Sequence, residues 1–170
     1  MQQRRPAWRI KVADELIVFT DLHYGRQQAN LAHECGDFIL RRSDGVYAYQ
    51  LAVVIDDALM GVNQVVRGCD LLSSTPVQLY LYRLLNLTPP SFCHIPLLTD
   101  AAGRRLSKRD GDLEIAALRQ HFGSPEPIIG LLAYLAGQLP QPEPITAAQL
   151  LPLFRPEKVP HDNIVVPQLL

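Results

Sequence analysis

The sequence has 170 residues, enough for one domain or for a domain with a small appendage. Hydrophobic residues make up 48% and charged residues 19%, a balance that excludes a disordered chain. Sixteen basic against seventeen acidic residues leave a net charge of −1, so no global field would draw the chain to nucleic acid, and any RNA contact must come from a local patch.

The chain opens MQQRRPAWRIKV, which is basic but lacks the apolar core of a signal peptide. No later run approaches the roughly 20 apolar residues of a membrane span, so no membrane partner is expected. Residues 8–20 and 37–49 set β-branched and aromatic residues among polar ones, with Ser43-Asp44-Gly45 as a turn, and predict hairpin-like β structure. Cys35 is the first of three cysteines; Cys69 and Cys93 follow, widely spaced, with no CxxC pair and no Cys/His cluster. That usage points to a reducing, cytoplasmic setting and to no zinc held by these residues.

From Gln50 the period changes. Leu51, Val54, Ile55, Ala58 and Leu59 form a helical stripe, and Gly61 follows as a C-cap. Val62–Val66 predicts a buried strand that leads into Arg67-Gly68-Cys69-Asp70. Thr75, Pro76 and Gln78 then carry the pattern of a capping box at the start of a helix that ends before Pro89-Pro90. Phe92–Leu98 predicts a further strand, interrupted at Pro96, and a basic loop from Arg104 to Arg109 follows it. Helices are expected at about 112–122 and 126–138 around Gly123, then a proline-rich linker, a helix at about 147–154 and an extended tail. Alternating strands and helices imply an α/β fold with parallel strands and crossover helices. Ligands of such sheets sit beyond the strands' carboxyl ends, where Asp70 and the basic loop both fall. Asp56 and Asp57 are adjacent on a helix and face about 100° apart, which suits structural roles better than a metal pair.

The run DFILRRSDGVYAYQLAVVIDDALMGVNQVVRGCDLLSSTPVQLYLYRLL, followed by HIPLL and RLSKR, resembles the second half of the catalytic domain of the glutamyl-tRNA synthetase family, which is class I. It is most similar to the family's short paralogues, the glutamyl-Q tRNA(Asp) synthetases, densely over about residues 37–110 and loosely beyond. The resemblance implies the second half of a Rossmann-like domain, here residues 49–122, carrying half of an ATP and glutamate site. Residues 1–48 are then the β-rich tail of an inserted acceptor-binding region, and 123–170 a set of C-terminal helices with an extended tail. The implied reaction joins the glutamate carboxylate to the α-phosphate of ATP, with magnesium accompanying the nucleotide, and passes glutamate to the queuosine of tRNA(Asp).

Negative charge develops on the phosphates in that reaction, so cations must stand where it appears. By resemblance to a KMSKS-type loop, Lys108 meets the ATP phosphates as the catalytic cation, Ser107 donates to a phosphate oxygen, and Arg105 replaces the first lysine with a different reach and geometry. A solvated basic loop is the plainer alternative. Arg67 is expected to bind the glutamate carboxylate, because an arginine after apolar residues at a strand end is poorly explained by packing; the alternative is an ion pair with Asp56 or Asp57. Tyr49 matches the family's glutamate-binding tyrosine, against the reading of an ordinary core residue. Asp70 is expected near the adenosine and Leu98 at the strand whose backbone faces adenine.

None of His23, His33, His94, His121 and His161 lies in an HxGH setting, so the family's HIGH-type ATP motif has no counterpart in these residues. A fragment or half of a split enzyme is therefore expected, inactive alone and with a partner in the missing N-terminal half or in self-association. The ending FRPEKVPHDNIVVPQLL favours the short paralogues over a truncated glutamyl-tRNA synthetase; a non-catalytic nucleotide- or RNA-binding module is the alternative of another class.

Overall fold

The structure is a computed structural model and describes residues 5–106 and 115–166. Two compact units divide the chain, Met1–His94 and Ile95–Leu170. This division follows packing, whereas the boundaries drawn above at 48/49 and 122/123 follow motif content.

In the first unit, β1 (Trp8–Ile10) pairs antiparallel with β4 (Phe38–Arg41), and a register shift falls between Trp8 and Arg9. The main sheet has four strands in the order β3 (Gly25–Asn30), β2 (Leu16–Asp21), β6 (Ser91–Ile95), β5 (Gln64–Gly68). It is mixed: β2 runs antiparallel to β3 and parallel to β6. The predicted β segment 8–20 therefore splits between two sheets. The β2–β3 turn is closed by Asp21, whose Oδ1 accepts the amides of His23 (3.0 Å) and Tyr24 (2.9 Å). Gly25 then takes φ 70°, a backbone region that glycine enters without a Cβ clash. Strand β3, GRQQAN, is too polar to announce itself by alternation; pairing with β2 forms it.

A short helix α1 (Leu31–Glu34) follows β3, and helix α2 (Tyr49–Met60) is stopped by Gly61 at φ 70°. Of its apolar stripe, Val54 is fully buried and Leu51 and Ala58 pack on it, but Leu59 is exposed. Val66 of β5 is exposed too, so the predicted buried strand is instead the edge strand of its sheet. Helix α3 (Thr75–Leu84) lies between β5 and β6 in the chain and supplies Val77, Tyr80, Leu81 and Tyr82 to two apolar clusters. Its predicted capping box does not form. The N-cap is Ser74, with no side-chain cap bond, at the end of a 3-10 turn, Cys69–Ser74, that runs straight into the helix. Thr75 and Gln78 are buried and bond elsewhere, Gln78 donating to Gln50 Oε1 at 2.8 Å.

In the second unit the predicted strand 92–98 is broken at Pro96: β6 ends at Ile95, and β7 (Leu98–Thr99) pairs parallel with β8 (Ile164–Val165) in the tail expected to be merely extended. Helices α4 (Ile115–Phe122) and α5 (Glu126–Leu135) flank Gly123, and Pro152 turns the end of the last predicted helix into a 3-10 segment after Ala147–Leu150. No helix among the described residues is long and apolar enough to cross a membrane.

Candidate functional site

Arg67 is the penultimate residue of β5, and its side chain reaches toward β6 and the start of α3. Its Nε donates to His94 Nε2 at 3.0 Å. Its Nη2 donates to Thr75 Oγ1 at 2.8 Å and to the Leu71 carbonyl at 3.3 Å. Every one of these acceptors is neutral.

Behind Arg67 the network continues inward. His94 Nδ1 lies 2.6 Å from Asp21 Oδ2, and the His94 amide donates to the same carboxylate at 3.1 and 3.2 Å. The His94 and Asp21 side chains are both fully buried. A guanidinium Nε always carries hydrogen, so His94 Nε2 must accept and Nδ1 must hold the proton that points at Asp21. Burial would raise the Asp21 pKa, but the Tyr24 amide, the His94 ring and the amides of His23 and His94 outweigh it and hold it below the ordinary value. The outcome is a chain Asp21–His94–Arg67, with Thr75 3.2 Å from His94 Nε2 as a second brace.

Arg67 is half-buried. Burial lowers its pKa, against the opposing pull of Tyr49, Asp57, Asp21 and Asp70 in that order. Among the described residues it forms no carboxylate ion pair, so the expected structural alternative, pairing with Asp56 or Asp57, is not made. The Phe92 ring lies under the guanidinium at 5.2 Å. Among the described residues, three of the five N–H groups are spent and the two on Nη1 are not. A half-buried cation with one nitrogen unspent and no carboxylate at ion-pair distance among the described residues has the chemistry to take an anionic group.

Tyr49 is the first residue of α2 and is exposed, which excludes a core role. It heads the groups acting on Arg67 through space. Asp70 is exposed in the 3-10 turn after β5 and acts on Arg67 as well. In the second unit, the Leu98 carbonyl accepts the Leu106 amide at 3.1 Å, and Arg105 is exposed and bridged to Thr99. The intervening turn is tied by Asp100, which pairs with Arg104 at 2.7 Å. Ser107 and Lys108 lie outside the described residues. Among those described, no three His, Cys, Asp or Glu side chains converge as metal ligands.

Sequence reasoning missed Thr75 and His94 as partners of Arg67, and Asp21 behind His94. One signal was present: in Ser91-Phe92-Cys93-His94-Ile95 the alternation of strand residues puts His94 on the same buried face as Phe92.

Residues 2–149 match the family model of the class I (E and Q) tRNA synthetase catalytic domain. The chain is 47% identical over 164 residues to the glutamyl-Q tRNA(Asp) synthetase of Symbiobacterium thermophilum, covering 96% of this chain and 50% of that protein. It is 51% identical to that of Nitratidesulfovibrio vulgaris, covering 96% and 51%. The chain thus spans about half the length of the curated relatives it matches. A crystal structure of glutamate-tRNA synthetase from Elizabethkingia anophelis superposes with a TM-score of 0.74 at 25% identity, over 92% of this chain and 35% of that one. The α/β fold expected from the sequence is therefore that of a class I synthetase catalytic domain.

Proposed function

Because the chain belongs to the class I (E and Q) tRNA synthetase family, catalytic domain, we propose that it supplies part of a site that activates glutamate with ATP and passes it to the queuosine of tRNA(Asp). The observation that carries the reading is Arg67: a half-buried guanidinium braced only by neutral acceptors, with Nη1 unspent. In this reading Nη1 takes the glutamate carboxylate, and the Tyr49 hydroxyl orients it.

ATP falls to Lys108, Ser107, Arg105, Asp70 and Leu98. Lys108 serves as the catalytic cation on the phosphates as the carboxylate oxygen attacks the α-phosphorus and pyrophosphate departs. Magnesium would travel with the nucleotide, and zinc has no role in these residues. The three sequence segments keep their proposed duties: 1–48 toward the RNA acceptor, 49–122 toward ATP and glutamate, and 123–170 as helical support. The cytoplasm suits three free cysteines.

Activity needs residues beyond these 170, since no HxGH-type motif occurs among them. The edge strand β5 and the exposed Leu59, Met60 and Val66 support association with a complementary polypeptide or a second copy. Transfer to queuosine is favoured over a tRNA end by the relatives at 47–51% identity, against the 25% of the glutamate-tRNA synthetase.

Glutamate-dependent exchange of pyrophosphate into ATP tests the proposal. The purified chain alone gives none, and adding the remaining half of a relative restores it. In the restored assay Lys108→Ala lowers kcat, because its contact strengthens as phosphate charge develops. A Lys108→Ala change that altered glutamate affinity alone would defeat the assignment.

A further inference from the structure

The chain has one tryptophan, Trp8, and leaves 57% of it exposed at the start of β1. Burying such a ring ordinarily stabilises a fold, so an open one invites a reason. Arg41, the Cα partner of Trp8 in the β1–β4 pairing, sets its guanidinium 5.4 Å from the Trp8 ring centre and 5.4 Å from that of Tyr47. Arg41 Nε is held by the Gly45 carbonyl at 3.1 Å, so the stack is preformed. Tyr47 is exposed as well. Beside the stack, Arg5, Pro6, Trp8, Arg41, Arg42 and Gly45 line a hollow of about 200 Å³.

On a chain of net charge −1, three arginines at one hollow are a local concentration of positive charge. Asp44, paired with Arg42 at 2.7 Å, is the acid tied to them. Planar rings interleaved with guanidinium groups match a flat heterocycle flanked by phosphates, since bases stack on aromatic faces and arginine forks fit phosphate oxygens. An apolar protein partner would want mainly aliphatic surface, whereas three of the six residues lining the hollow are arginines.

We propose that Trp8, Arg41 and Tyr47 form a stacking platform for an unpaired nucleotide of an RNA, with Arg5 and Arg42 on its phosphates. The inference rests on the proposed duty of residues 1–48 toward RNA and gives that duty a site, using none of the glutamate-site residues.

Trp8 fluorescence reports on the platform directly, as no second tryptophan contributes. The purified chain would be titrated with a ten-nucleotide oligouridylate, a blunt RNA duplex of equal length, unfractionated tRNA and a polyglutamate peptide. The platform requires strong quenching by the oligouridylate and by tRNA, and little by the duplex or the peptide. Binding should weaken about 10-fold between 50 and 200 mM salt, as expected for two or three phosphate contacts. By anisotropy of a labelled oligouridylate, Trp8→Ala should bind at least about 5-fold more weakly and Trp8→Phe should retain most of the affinity. Equal quenching by duplex or peptide would reduce the patch to a general anion surface and overturn the platform. So would undiminished binding by Trp8→Ala. Binding of tRNA with Trp8 unquenched would leave the RNA reading standing and refute the platform; no binding of any RNA would refute both.

Discussion

Arg67 Nε and His94 Nε2 meet at 3.0 Å, and that contact places the histidine's proton on Nδ1, where Asp21 receives it at 2.6 Å. The acid thereby orients the base, and the base holds one edge of the guanidinium. Replacing His94 tests each end of this arrangement. His94→Leu leaves a buried carboxylate without its ring donor, a loss on the order of 2–3 kcal/mol, and should lower Tm clearly. His94→Gln keeps an acceptor within reach of Arg67 and should cost much less. Nitrogen NMR provides a structural readout: a slowly exchanging Arg67 Nε–H signal should persist in His94→Gln and vanish in His94→Leu. Equal destabilisation by both variants, with the signal unchanged, would refute the network.

Asp21 ties the network to pH. Its folded pKa lies below the ordinary 3.8, so between the two values the unfolded chain binds more protons than the folded one. The stability it contributes is complete above about 3.8 and is lost as pH falls through the lower folded value. Asp14, Asp100 and Glu126 are also lowered and share this acid limb. Urea unfolding from pH 7 to pH 2.5 should therefore show a shallower acid decline in Asp21→Asn, from a lower plateau. An unaltered slope would mean that Asp21 is not the charged anchor.

Much of this was legible in the sequence, and the failures share one cause. Gly61, the α2 stripe through Val54 and the turn at Ser43-Asp44-Gly45 follow from local periodicity and backbone chemistry, and the structure repeats them. Thr75 and Gln78 carried a cap signature, yet both are bonded to residues distant in the chain, Arg67 and Gln50. The β7–β8 pair is likewise made by partners far along the chain, which no local window contains. Arg67 itself was visible as a cation at a strand end; Asp21, 46 positions earlier by number, was not.

Tyr82 offers a test of the core. Its hydroxyl is buried with no hydrogen-bond partner among the described residues, and burial raises its pKa, with Asp57 adding to the shift. Removing an unsatisfied buried hydroxyl should relieve on the order of 1 kcal/mol, so Tyr82→Phe should raise Tm by about 2–4 °C. A drop in Tm would show that the hydroxyl has found a partner.

Gly130 in α5 offers the opposite test. A Cβ there would overlap the Glu143 carbonyl oxygen and stand 2.7 Å from its carbon, where backbone cannot easily yield. Gly130→Ala should cost about 1–3 kcal/mol or more despite its higher helix propensity. Calorimetry showing an unchanged or raised Tm would contradict the close approach of the proline-rich linker to α5.

The proposal that Arg67 receives the glutamate carboxylate is tested by an NMR titration of the purified chain with L-glutamate. Saturable shifts of the Arg67 side-chain and Tyr49 backbone signals are expected, with L-alanine producing far smaller ones. Truncating a buried charge-assisted contact costs on the order of 2–5 kcal/mol, so Arg67→Ala should weaken binding about 30-fold or more while the rest of the spectrum stays folded. If folded Arg67→Ala bound glutamate as tightly as the parent chain, with the same shifts at Tyr49, the claim would be contradicted.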